Sequence, residues 1–209
     1  MVTSDLINKR FKPLFCMHRN KGTVDRVAGL LNRLYSKDIR HYHNLGHIQQ
    51  CLSVYDSFTE YYAKSVYIEY AIWFHDIVYD PKSDINEENS AFIWSLLAVG
   101  DRLSLEEIVK VSDLILITKH DTEPKESDEK LIVDIDLSIL GSPKEIFSEY
   151  GENIRKEYQH VNDEDYRIGR TKVLESFLNR GSIYYTDFFK KNYEKKARLN
   201  LTEAIEKLK

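Results

Sequence analysis

The chain has 209 residues, 42% hydrophobic and 31% charged, and 30 Lys and Arg against 34 Asp and Glu leave a formal net charge of -4. That balance excludes a disordered polypeptide and argues against a dedicated binder of nucleic-acid polymers or membrane surfaces, which carry a basic excess. The length suits one domain with a sizeable core, so a single globular unit over residues 1–209 is expected.

The N-terminal stretch MVTSDLINKRFKPLFCMHRNK mixes charges throughout and offers no secretory h-region. No run approaches the roughly 20 apolar residues of a membrane span. The two cysteines, Cys16 and Cys51, have no CxxC spacing and suggest neither a disulfide framework nor a thiolate zinc site. A cytoplasmic protein is the expectation.

The dominant period is helical. Thr23 is placed to cap a helix whose stripe is Val24, Val27, Leu30, Leu31 and Leu34. SKDIRHYHN breaks the pattern, and from Leu45 a second helix carries Ile48, Leu52, Tyr55 and Phe58. Val66 to Tyr79 predicts a third, apolar all round and therefore central, ended by Asp80-Pro81 because proline disfavours helix in the residue before it. DINEENSAFIWSLLAVG restarts a helix, with Asp84 and Glu87 spaced as a capping box and Gly100 as its stop.

Ser104 caps the next helix, LEEIVKVSDLILITKH. After the polar loop DTEPKESDEK, LIVDIDLSILG predicts a short buried helix ended by Gly141. Further helices are expected from Pro143 to about His160, from Asp163 to Arg180, and from Tyr193 onward, the last charged on most faces and packed as an outer layer. The fold class is therefore all-α, a bundle of about eight to ten helices.

Within this apolar framework, RHYHNLGHIQQCL and AIWFHDIVYD place ionisable groups where core is being built. Burying them without partners costs several kcal/mol, on the order of ~2–7, and a metal ion is one way to satisfy them. His75 and Asp76 diverge by about 100° on a helix and differ in reach, so both can converge on one ion. A lone His-Asp pair is more often structural, with the carboxylate accepting from the imidazole. The order of His47, His75-Asp76, His120 and an Asp in DIDLS, each in apolar-periodic sequence or at a helix end, raises the metal reading.

This order resembles the HD superfamily of metal-dependent phosphohydrolases. RHYHNLGH, AIWFHDIVYD, INEENSA, DIDLSILG and GRTKVLESFLNRGSIYYT look like the motifs of a bacterial subfamily of predicted HD-type hydrolases, over about Arg40 to Asn200. The resemblance implies an HD-domain-like bundle with a metal-site core near residues 40–140 and C-terminal helices near 143–209 packed on it. It makes His47, His75, Asp76 and Asp136 the metal ligands. Asp134 is the rival for the closing position; the two lie about 200° apart on a helix, so one faces the site, and Asp136 is favoured for its phase with Ile139 and Leu140.

Two imidazoles and two carboxylates suit Mn, Fe, Co, Ni or Zn, with Mg an alternative where water fills positions. Four protein ligands leave room for water and substrate, the catalytic pattern. The expected chemistry is attack of metal-activated water on a small phosphate ester, nucleotides among the candidates.

Glu87 and Glu88 are candidates for acid-base work at the leaving oxygen, although a capping box alone would explain Glu87. His120 is a candidate behind the ligands or at phosphate, against a surface helix-end histidine. His43 belongs to a loop near the substrate, and Arg40, Lys119 and Arg170 are candidate phosphate contacts. Tyr42, Trp73 and Tyr79 are either base-stacking surfaces or core. His18, His41 and His160 receive no role. Alternative functions are an iron-dependent HD-type oxygenase, whose extra ligands would come from His43 and His120, and a non-catalytic metal- or nucleotide-binding module. No polymeric nucleic acid or membrane partner is expected, and a homodimer is compatible with the sequence.

Overall fold

The computed structural model describes residues 5–16, 20–59, 63–99 and 103–209, of which His18 and Gly100 are not part. Among the described residues it is all-helical, 74% helix with no strand. A π-helical turn, Ile7–Phe11, runs into α1 (Lys12–Cys16). Then come α2 (Lys21–Tyr35), α3 (Leu45–Thr59), α4 (Val66–Phe74), α5 (Asn86–Ala98) and α6 (Leu105–Leu116). The 3-10 turn Ile117–Lys119 leads to α7 (Ser127–Asp136), and the 3-10 segment Leu137–Gly141 to α8 (Lys144–Glu157), α9 (Asp163–Leu178), α10 (Asp187–Asn192) and α11 (Glu194–Leu208). No helix among the described residues is long and apolar enough to cross a membrane.

The core is built around α4. Ile68, Tyr70, Ala71, Ile72, Trp73 and Phe74 are all buried, and the helix packs against α3, α5, α6 and α7. A helix apolar on every face has no stable position except the middle of a bundle. The N-terminal segment, to which the sequence reading assigned no helix, covers one side of it. Phe11 stacks on Phe15 at 4.7 Å and meets Trp73 edge-on at 5.2 Å. Lys9, Arg10 and Lys12 interrupt the apolar positions in sequence, and Arg10 is held by Glu69 (2.7 Å) and Asp56 (2.5 Å).

Three local expectations are corrected. Asn20, not Thr23, caps α2; its side chain accepts from the Thr23 backbone N–H at 3.0 Å. No capping box joins Asp84 to Glu87, because α5 begins after Ile85 and has no side-chain cap. The α4 helix ends at Phe74, well before Asp80-Pro81. The last turn tightens there, with the Ile77 N–H on the Phe74 carbonyl (3.2 Å) and the His75 ring Nδ1 on the Ile72 carbonyl (3.0 Å), and the buried Arg40 guanidinium satisfies the carbonyls of Asp76 (2.6 Å) and Ile77 (2.9 Å), which have no helical donor. The side chain of Asn86 then accepts from the Asp80 N–H and donates to its carbonyl. By contrast, the Ser104–Glu107 capping box forms on α6.

The segment after α7 closes tightly. A Cβ on Gly141 would stand 2.7–3.0 Å from Tyr193 atoms, backbone included, so only glycine lets the 3-10 turn reach the start of α11. On the far side α11 buries Ala197, Asn200, Leu201 and Ile205 against this turn and α9.

Candidate metal centre

Each residue of the centre sits at a helix end, where the chain can turn a polar group inward. His47 lies in the first turn of α3, His75 caps the C-terminus of α4 with Asp76 next, and Asp136 is the last residue of α7. Their polar atoms converge. His47 Nε2 is 3.1 Å from His75 Nε2 and 3.2 Å from Asp136 Oδ1. His75 Nε2 is 3.5 Å from the same oxygen, and Asp76 Oδ2 stands 3.1 Å from His75 Nε2 and 3.5 Å from His47 Nε2.

Two ligand atoms about 2.1 Å from one ion and 90° apart stand about 3.0 Å from each other, and about 3.4 Å at a tetrahedral angle. The observed separations of 3.1–3.5 Å match that spacing. His47, His75 and Asp136 form the compact triad, with one ligand atom from each within 4.8 Å of the others. Asp76 stands beside the two imidazoles. The donor set therefore fits a divalent ion of the Mn to Zn series.

Supporting contacts aim these atoms. His75 Nδ1 lies 3.0 Å from the Ile72 carbonyl, which can only accept, so in the neutral ring Nε2 carries the lone pair that faces the site. His120 Nε2 lies 2.9 Å from Asp136 Oδ2 and turns Oδ1 toward the imidazoles. His120 does this in a left-handed backbone conformation, φ 61°, which costs a side-chain-bearing residue on the order of 1–3 kcal/mol. Such strain persists where the surroundings impose it, and here the imposed result is the contact with Asp136.

The charges agree with the geometry. Burial raises the Asp136 carboxyl, yet hydrogen bonds from His120, His47 and His75 outweigh it and hold the group well below its ordinary range. Burial likewise opposes ionisation of Asp76, and the His75 and His43 charges reverse that effect. The His75 imidazole is raised well above its usual value because the Asp76 charge and the Asp136 hydrogen bond exceed the desolvation penalty. Two ionised carboxylates beside two imidazoles could hold a cation in place of the proton that His75 otherwise keeps.

The rival carboxylate, Asp134, faces elsewhere. It is fully buried and accepts from the Tyr185 N–H (2.8 Å), the Thr186 N–H (2.7 Å) and the Thr186 hydroxyl (2.7 Å), fixing the chain that enters α10. Burial pushes its carboxyl up to about 6 against those hydrogen bonds.

The other candidates divide. His43 is brought to the site, stacked on Tyr79 at 4.2 Å, with Nδ1 2.6 Å from Glu157 Oε2. Glu87 is half-buried, its carboxyl raised by burial and by the Asp76 charge. Glu88 and Lys119 pair with each other at the surface, which commits both and leaves Glu87 the freer acid. Arg40, read in sequence as a phosphate contact, is instead buried and committed to the carbonyls of His43, Asp76 and Ile77. Arg170, read in the same way, lies over the Tyr150 ring at 5.0 Å and lines a separate cavity. Trp73 is core, and Tyr79 donates its hydroxyl to Glu157; of the three stacking candidates only Tyr42 lies against a ligand, 4.8 Å from the His47 ring.

Glu157 was not among the sequence candidates. It is buried and accepts from the Tyr42 N–H (2.7 Å) and the His43 N–H (2.9 Å), from the Tyr79 hydroxyl (2.8 Å), and it pairs with His43 Nδ1. One carboxylate thus shapes the whole loop ahead of α3. The signal was present in sequence: Phe147, Tyr150, Ile154 and Glu157 recur at spacings of three and four, and the last is charged on the apolar phase.

No family model matches this chain, and neither a characterised protein nor a solved structure is significantly similar to it.

Proposed function

We propose that the chain is a metal-dependent phosphohydrolase of the HD type, acting on a small phosphate ester of which nucleotides are one class. The observation that carries this reading is the convergence of His47, His75 and Asp136 on one point, with Asp76 beside them. A divalent ion held there by His47, His75, Asp136 and Asp76 would lower the pKa of a bound water and polarise a phosphoryl oxygen.

The chain's own groups supply the rest. His43 is held above its ordinary value, since the Asp76 charge and the Glu157 hydrogen bond outweigh desolvation, so it presents positive charge to an anionic substrate. Glu87, raised by burial, keeps a proton to higher pH than a surface glutamate and is suited to protonate the leaving oxygen. His120 and Arg40 hold the ligands in place, one through Asp136 Oδ2 and the other through the Asp76 carbonyl.

The test is phosphate release from a panel of nucleotides and simple phosphoesters, with and without added Mn, by the natural chain and by a His75→Ala, Asp76→Ala variant. Mn-dependent release that the variant lacks supports the hydrolase. Two bound irons with oxygen consumption would move the assignment to an HD-type oxygenase. Bound metal without turnover on any ester would make the chain a binding module.

A further inference from the structure

We propose that the cavity between α8, α9 and α11 is a second ligand site, taking a small molecule with an apolar body and one anionic end. The cavity measures about 620 Å3. That lies within the range of about 300–1,000 Å3 typical of small-molecule pockets. It is separate from the metal centre, none of whose ligands lines it. Tyr150 and Tyr42 stand between them: Arg170 lies over Tyr150, Tyr150 meets Tyr42 at 4.6 Å, and Tyr42 lies against His47.

The lining states what the site would accept. Phe147 and Leu174 give it a buried apolar floor, and Ala204 and Leu208 extend that floor along α11. Two of its cations are neutralised within the lining, Lys144 by Glu203 at 2.5 Å and Arg155 by Asp163 at 2.7 Å. Arg167, Arg170 and Lys207 have no carboxylate in salt-bridge reach among the described residues, and Glu152 is the one lining acid left unpaired against them. Arg170 is the most committed of the three, partly buried among tyrosines with Tyr150 under its guanidinium.

Arg170 is partly buried, where a cation is costly without a counter-charge, while Arg167 and Lys207 stand exposed at the rim. Three unpaired cations against one acid, around an apolar floor, are complementary to an amphiphilic anion. A phosphate or carboxylate would meet the arginines, whose planar forks bind it bidentately, and the body would cover Phe147 and Leu174. This inference does not depend on the hydrolase reading.

The experiment is equilibrium titration of the full-length protein with 8-anilinonaphthalene-1-sulfonate and with its uncharged analogue N-phenyl-1-naphthylamine. Because Phe92 and Leu96 on α5 are also exposed, only variant-sensitive binding counts. Arg167→Gln with Lys207→Gln, both on the surface, should weaken the anionic dye about tenfold and leave the neutral one unchanged. Ala204→Trp, which fills the cavity, should abolish variant-sensitive binding of both. Circular dichroism and melting temperature report whether each variant is folded. Displacement of the dye by dodecyl phosphate or by adenosine monophosphate identifies an aliphatic or an aromatic body. Equal affinity for the two dyes, dye binding indifferent to the variants, or displacement by neither anion would overturn the proposal.

Discussion

Two aspartates two positions apart on α7 do different work, and the difference is one of partners. Asp136 faces three imidazoles, whereas Asp134 faces two backbone N–H groups and a hydroxyl. Asp134→Ala should therefore destabilise the fold by at least the ~1–3 kcal/mol of an orphaned buried group while the metal stoichiometry stays unchanged. Asp136→Ala should remove bound metal, and with it the stability that the ion confers. Denaturant unfolding and metal analysis on the same two proteins check both halves, and the opposite pattern would reverse the assignments. The helical phase of DIDLS separated the two carboxylates in sequence. What it did not show is that Asp134 is also buried, because its partners Tyr185 and Thr186 lie about fifty residues away.

At the scale of elements, the placing of the centre depends on where α4 stops. Its apolar periodicity was legible as a central helix, but the periodicity continues past the true end at Phe74. A pattern of side chains does not reveal which carbonyls a distant arginine will take, and Arg40 takes two of the carbonyls just beyond that end. Arg40→Ala should lower stability by about 3 kcal/mol, as several buried carbonyls lose their donor. It should also weaken metal binding about 10–100-fold, the range seen when a group that orients ligands is lost. Thermal unfolding and a metal titration read the two effects. Unchanged metal affinity in a folded variant would mean that the His75-Asp76 turn holds its shape without Arg40. The π-helical turn and α1 were missed for a related reason: their apolar residues are spaced among Lys9, Arg10 and Lys12, and the acidic partners of Arg10, Asp56 and Glu69, lie on α3 and α4.

On the scale of the whole molecule, the helical class and the central position of α4 were legible because 3.6-residue periodicity recurs along the chain. The long-range arrangement was not, and the centre joins three helices, α3, α4 and α7, whose packing no local pattern specifies. An ion bound by all three stabilises the folded state by RT ln(1 + [L]/Kd), about 2.7 kcal/mol at a hundredfold excess over Kd. Chelation should then lower the melting temperature by about 5–10 °C for a chain of this length, and readdition of Mn should restore it. A melting temperature indifferent to chelator would mean that the bundle does not rely on the ion.

The most direct test of the metal centre is elemental analysis of the purified protein beside its His75→Ala, Asp76→Ala variant, each shown to be folded by circular dichroism. The geometry predicts one divalent ion per chain in the natural protein and none in the variant. Full stoichiometry in the variant, or no metal in the natural protein after incubation with Mn, Fe, Co, Ni or Zn, would contradict it.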